Sequence, residues 1–167
     1  MSGRVLIAGI GNIFQTDDAF GVEVAGRLVD HPLPDHVRVE DFGIRGVHLA
    51  YELLEGYDTL IVIDAVPMGE PPGTLVVMEP ELGARPTSSD PDDPALDAHT
   101  MSPDVVLATL ERLGGSVRRI FIVGCQPADL REGMGLTPAV EATVGAATNL
   151  CLELLTDVAP IGKGMPA

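Results

Sequence analysis

RVLIAGIGNIFQTDDAFGVEVAGRLV, residues 4–29, decides how this chain folds. It opens on a short run of apolar, partly β-branched residues, passes through a glycine turn at Gly9 and Gly11, and ends in a pattern where Phe20, Val24 and Leu28 recur every four residues beside Ala25 and Val29. Period two gives way to period 3.6, so the stretch predicts strand, tight turn and a helix over about 18–29. Four more strand-like runs follow: HVRVEDF (36–42), TLIVIDA (59–65), TLVVME (74–79) and RRIFIVG (118–124). Interleaved with helical patterns, they predict an α/β fold, a mostly parallel, twisted five-stranded sheet with helices on both faces. One domain is expected over residues 1–158, followed by a flexible Pro/Gly-rich tail at 159–167.

The remaining helices are signalled at their ends. A helix over 46–55 places Val47, Ala50, Tyr51 and Leu54 on one stripe and stops at Gly56, a residue suited to a left-handed cap. TMSPDVVLATLERLGG (100–115) has Ser102 to cap it, Pro103 at its first position and Gly114 beyond its end. The last helix starts at Pro138 with Thr137 as cap, and Val140, Val144, Ala147, Cys151 and Leu154 share one side. VPMGEPPGT (66–74) has the turn chemistry to send the chain back as a neighbouring antiparallel strand, making the sheet mixed. PELGARPTSSDPDDPALDAH (80–99) is an acidic loop longer than ordinary connections.

Composition narrows the function. At 167 residues and 46% apolar content the chain can build a real core, yet no apolar run approaches the roughly 18 residues a spanning helix needs. Two unpaired cysteines, Cys125 and Cys151, argue against a disulfide scaffold and point to a reducing compartment, the cytoplasm. The net charge of −15 repels nucleic acid and anionic membrane and allows a cationic or metal-bearing partner.

In an open α/β sheet, ligands bind beyond the carboxyl ends of the parallel strands. Asp17, Asp18 and Asp64 belong there, with DFGIRG (41–46) after the second strand, GCQP (124–127) after the fifth, and His99 just before the third helix. A dinucleotide site requires G-x-G-x-x-G, but the third glycine position holds Phe14, and two carboxylates at the helix end repel a phosphate. Each acid also has a plain structural reading. TDD can be a helix cap, Asp64 a strand-end turn, and His99 a solvated loop residue. If Asp17 is the cap, Asp18 is free to face the crevice. Together Asp18, Asp64 and His99 would offer two oxygens and one nitrogen to a borderline divalent ion such as zinc or nickel. Cys125 ends a strand with no histidine placed beside it by sequence, which favours a structural thiol over a nucleophile.

GIGNIFQTDDAFGVEV, DFGIRG, LIVIDAV, the histidine before the third helix and VGCQP with GMGLTPAVEA occur in this order along nearly the whole chain. In that order the chain resembles the hydrogenase maturation endopeptidases, which process the large subunit of nickel-iron hydrogenases. The resemblance implies a protease that removes a C-terminal extension from the large-subunit precursor after nickel insertion. Asp18, Asp64 and His99 match the positions that contact metal in that family, and the nickel is carried by the substrate, with no tightly bound cofactor of the protease's own. Gly43 and Gly46 match a glycine turn suited to contact substrate. The family usually has serine or threonine two residues before the histidine, where this chain has Asp97. A non-catalytic chaperone for the nickel-bearing subunit and a dinucleotide-binding domain are the alternative readings.

Overall fold

A computed structural model describes residues 3–44, 46–80 and 103–157. The elements run β1 (Val5–Ile10), a 3-10 turn (Thr16–Ala19), α1 (Phe20–Val29), β2 (Val37–Gly43), α2 (Gly46–Leu53), β3 (Thr59–Ala65) and β4 (Leu75–Met78). They continue with α3 (Pro103–Arg112), β5 (Arg119–Cys125), α4 (Pro138–Glu141) and α5 (Val144–Asp157). The five strands form one sheet in the order β2-β1-β3-β5-β4, parallel except for β4, which pairs antiparallel with β5.

β1 and β3 are buried along almost their whole length because they are apolar on both sides of the pleat. Val5, Ile7, Ile61, Ile63, Phe121 and Val123 point to one face, where Phe20, Val24 and Leu28 of α1 and Val144, Ala147, Cys151 and Leu154 of α5 cover them. Leu6, Ala8, Leu60, Val62 and Ile120 point to the other, against Leu49, Ala50 and Leu53 of α2 and Val106 and Leu110 of α3. Each fully buried Leu or Ile contributes about 1.5–3 kcal/mol relative to exposure, so the two apolar layers outweigh any single polar contact in the sheet.

Several boundaries differ from the periodicity. Residues 16–19 form a 3-10 turn, and the α-helix begins only at Phe20. Val29 is 62% exposed, so the second apolar row of α1 ends at Ala25. On α2 the buried stripe is Leu49, Ala50 and Leu53, while Tyr51 and Leu54 are exposed. Leu49, Ala50 and Leu53 pack in one cluster with Leu6, Ala8 and Phe42 of the sheet and Val106 and Leu110 of α3. The last helix is broken at 142–143, where the Thr143 hydroxyl donates to the Val140 carbonyl and tightens the turn. All five residues expected on its inner side are buried nevertheless. The strand after VPMGEPPGT does not lie beside β3, because β5 inserts between them. β5, with seven residues to the four of β4, is the more deeply buried strand and takes the inner place, leaving Val77 and Met78 of β4 partly exposed at the sheet edge. Gly56 and Gly114 adopt positive φ beyond α2 and α3, as their positions predicted. Ser102, the loop 81–102 and the tail after 157 lie outside the described residues.

Candidate active site

β1 leads through α1 to β2 on one side, whereas β3 stands on the other side of β1, so the chain changes direction across the sheet between them. At such a switch point the connections diverge and leave a crevice beyond the strand carboxyl ends. Two glycines let the first helix close over it. A Cβ on Gly21 would lie 2.1 Å from the Ile63 carbonyl oxygen, and one on Gly11 would lie 1.8 Å from that of Asp18. Only hydrogen fits at either place, so the turn carrying Asp18 packs directly against β3.

Asp18 is half-buried, and its Oδ2 accepts the Asn12 N–H at 2.9 Å. Asp64 lies one residue before the end of β3, and its Oδ1 accepts the following Ala65 N–H at 2.8 Å. Although Asp64 keeps some accessible surface, its carboxyl is crowded by protein, and this burial pushes its pKa well above the usual carboxylate range. The negative charge of Asp18 pushes it further in the same direction, against the smaller opposing effect of the Ala65 N–H. The two acids therefore share a site that favours a cation, or a proton, between them.

His99 lies outside the described residues, so its place relative to the acid pair is not part of this geometry. Among the described residues no group of three or more His, Cys, Asp or Glu side chains is arranged to hold a metal ion. On the β2 side, Gly43 has φ +58°, its N–H donates to Asp41 Oδ1 at 2.7 Å, and its carbonyl accepts the Gly11 N–H at 2.9 Å. That carbonyl bond ties the β1 turn to the end of β2, and nothing closer than 3.9 Å stands where a Gly43 Cβ would be. Gly46 is the first residue of α2.

Asp17 corrects its sequence reading. It makes no cap hydrogen bond to its helix; it is fully buried and binds the loop after β5 instead. Thr137, at the cap position of α4, turns its hydroxyl to the same carboxylate. These partners are more than a hundred residues from Asp17, a pairing no local pattern signals. Gln126, within GCQP, has a role that its sequence neighbours do not signal: its side-chain oxygen accepts the N–H groups of Met68 and Glu70 and holds down the 66–74 loop. Cys125 is buried, its thiol pKa raised chiefly by that burial, with Thr143 Oγ1 at 3.6 Å and no base hydrogen-bonded to it among the described residues. It is a core thiol. Around the rim, Ile13, Phe14, Leu130 and Met134 stand exposed, Met134 at 72%.

The fold and site thus define an open α/β domain with a paired-carboxylate crevice at its topological switch point. The sequence profile of the hydrogenase maturation proteases matches residues 22–154, and the chain belongs to that family. It is similar to the hydrogenase expression/formation protein HupD of Rhodobacter capsulatus, 38% identical over a match spanning 84% of this chain and 66% of that one. It is 33% identical to the hydrogenase 2 maturation protease of Escherichia coli, over 92% of each chain. The solved hydrogenase maturating endopeptidase HybD from Escherichia coli superposes with a TM-score of 0.73 at 32% identity, covering 92% of this chain and 93% of that one. The chain is accordingly a peptide-bond hydrolase of hydrogenase maturation, a family that processes hydrogenase precursors. No helix among the described residues is long and apolar enough to cross a membrane.

Proposed function

We propose that this endopeptidase removes the C-terminal extension of a nickel-iron hydrogenase large-subunit precursor after nickel insertion, and that it recognises the nickel carried by that precursor through Asp18, Asp64 and His99. The observation that supports this most is the convergence of Asp18 and Asp64 at the switch point, where mutual repulsion and burial make a bound cation favourable. A proton competes for the same oxygens, so the pair alone binds a free ion weakly. The nickel is therefore treated as part of the substrate, and the purified protease is proposed to carry no tightly held cofactor.

In this reading, nickel bridges the precursor's thiolates and the three side chains and fixes the scissile peptide in the crevice. Positioning of this kind converts an encounter into a near-unimolecular reaction. Gly43 and Gly46 are the residues proposed to meet the substrate backbone, and the open space beside Gly43 supports that reading. The exposed apolar rim at Ile13, Phe14, Leu130 and Met134 suits a polypeptide substrate better than a nucleotide. The two free, buried cysteines are in keeping with action in the cytoplasm.

The test is to incubate the protein with nickel-loaded and nickel-free precursor and weigh the products. The loaded precursor should lose its C-terminal peptide and the unloaded one should not; equal cleavage of both would defeat nickel recognition. A stable complex with no mass change would support the chaperone reading instead. Asp18→Asn and His99→Ala should each abolish processing without lowering the thermal midpoint appreciably, and full activity in either would remove that residue from the site.

A further inference from the structure

We propose that Asp17 is the positioning residue of this site: it locks the turn that carries Asp18 onto the loop between β5 and α4, and so holds the Asp18 carboxylate toward Asp64. The proposal rests on the carboxylate site described above and adds a residue that acts on it without touching substrate.

Asp17 is fully buried, yet its carboxylate faces only donors. Oδ2 accepts the N–H groups of Ala128 at 2.8 Å and Asp129 at 3.0 Å, and Oδ1 accepts the Thr137 N–H at 2.7 Å. The Thr137 hydroxyl lies 2.8 Å from Oδ2 and donates there. The Asp17 N–H in turn donates to the Asp129 carbonyl at 3.0 Å. Next to this knot, residues 14–16 and 131–133 pair through a short parallel bridge. Thr16 N–H donates to the Gly133 carbonyl, Gly133 N–H to the Phe14 carbonyl, and the Thr16 hydroxyl to the Arg131 carbonyl. Thr16 itself is held at φ +52°, a conformation that costs energy for a β-branched residue and persists only where its surroundings impose it.

Asp18 follows directly, with its own N–H on the Gln15 carbonyl and its Oδ2 on the Asn12 N–H. Its direction is therefore set by a turn whose far side is fastened at residues 128–137. A carboxylate is the side chain that fits, because it offers acceptors to every donor present. An asparagine would present its own NH2 to N–H groups and leave buried donors unpaired. The loop after β5 thereby becomes part of the active-site frame although none of its side chains is among the proposed ligands.

The Asn12 amide reports the Asp18 carboxylate without any metal or precursor. In Asp17→Asn its NMR resonance should move upfield and its hydrogen exchange should quicken, while the amides of Ile7 and Ile61 in the sheet stay protected. Processing of nickel-loaded precursor, measured well below the thermal midpoint, should fall roughly tenfold or more, as when a residue that orients a ligand is lost. Thr137→Val, which removes one donor and keeps Asp17, should move both readouts the same way by less, and it serves if Asp17→Asn does not fold. A lowered thermal midpoint with the Asn12 resonance and the processing rate unchanged would make Asp17 a purely structural residue and overturn the proposal. Asp18→Asn is run alongside: full processing there would defeat the site reading itself, which the Asn12 readout in Asp17→Asn distinguishes from a failure of the positioning role.

Discussion

At the scale of residues, the paired acids carry a stability cost that can be measured. The Asp64 pKa is raised in the folded chain by burial and then by Asp18. Between its unfolded value near pH 4 and its raised folded value, the folded state holds a proton that the unfolded state has lost. Stability from this group is therefore fully present below about pH 4 and is lost as pH rises through the folded pKa. Asp64→Asn should consequently raise the thermal midpoint of the metal-free protein at neutral pH, and its advantage over wild type should shrink to nothing in acid. A difference independent of pH would contradict the assignment. Cys125 is a second group that burial holds protonated, here a thiol beside Thr143. Cys125→Ala should keep its processing rate within about twofold, since a buried, protonated thiol is no nucleophile; loss of cleavage in single-turnover assays would reopen a thiol mechanism.

At the scale of elements, the contact of α1 with the sheet depends on where glycine stands. Gly21 faces the carbonyl oxygens of Ile63 and Ile10 at distances that admit no Cβ, whereas Gly26, on the same helix, meets nothing within 4 Å. Gly21→Ala must push α1 away from β1 and β3 and should cost about 1–3 kcal/mol or more, together with processing, because the Asp18 turn moves with the helix. Gly26→Ala should stabilise by about 0.5–1 kcal/mol through helix propensity and a less flexible unfolded chain. Urea midpoints of the two variants check the pair, and similar effects in both would refute the close approach. GVEVAG shows two glycines in a helical pattern, but nothing in it tells which one touches a strand. The strands themselves and the glycine ends of α2 and α3 were legible, since their signals are local. The phase of α2 was not, because Leu49 and Leu53 on one side and Tyr51 and Leu54 on the other both read as apolar stripes, and only the sheet selects between them.

At the scale of the whole molecule, 25 acidic residues oppose 10 basic ones, and the ion pairs of Arg38, Arg119 and Arg131 lie at the surface, where they contribute little. Self-repulsion should therefore dominate the salt response. Raising ionic strength from about 0.01 M to 0.15 M shortens the Debye length from about 30 to 8 Å and should raise the thermal midpoint. A midpoint that falls with added sodium chloride would mean that specific ion pairs outweigh net charge.

By itself the sequence determined the α/β class, the strands and the order of family motifs that puts Asp18 and Asp64 at strand ends, because apolar period, glycine turns and motif order are properties of neighbouring residues. Only the tertiary structure decided that β1 and β3 lie side by side, that β5 comes between β3 and β4, and that Asp17 fastens a loop instead of capping a helix. Those outcomes depend on which apolar faces bury one another and on where a buried carboxylate finds enough donors. Both are settled between segments far apart in the chain, when the sheet and its two helical layers close together.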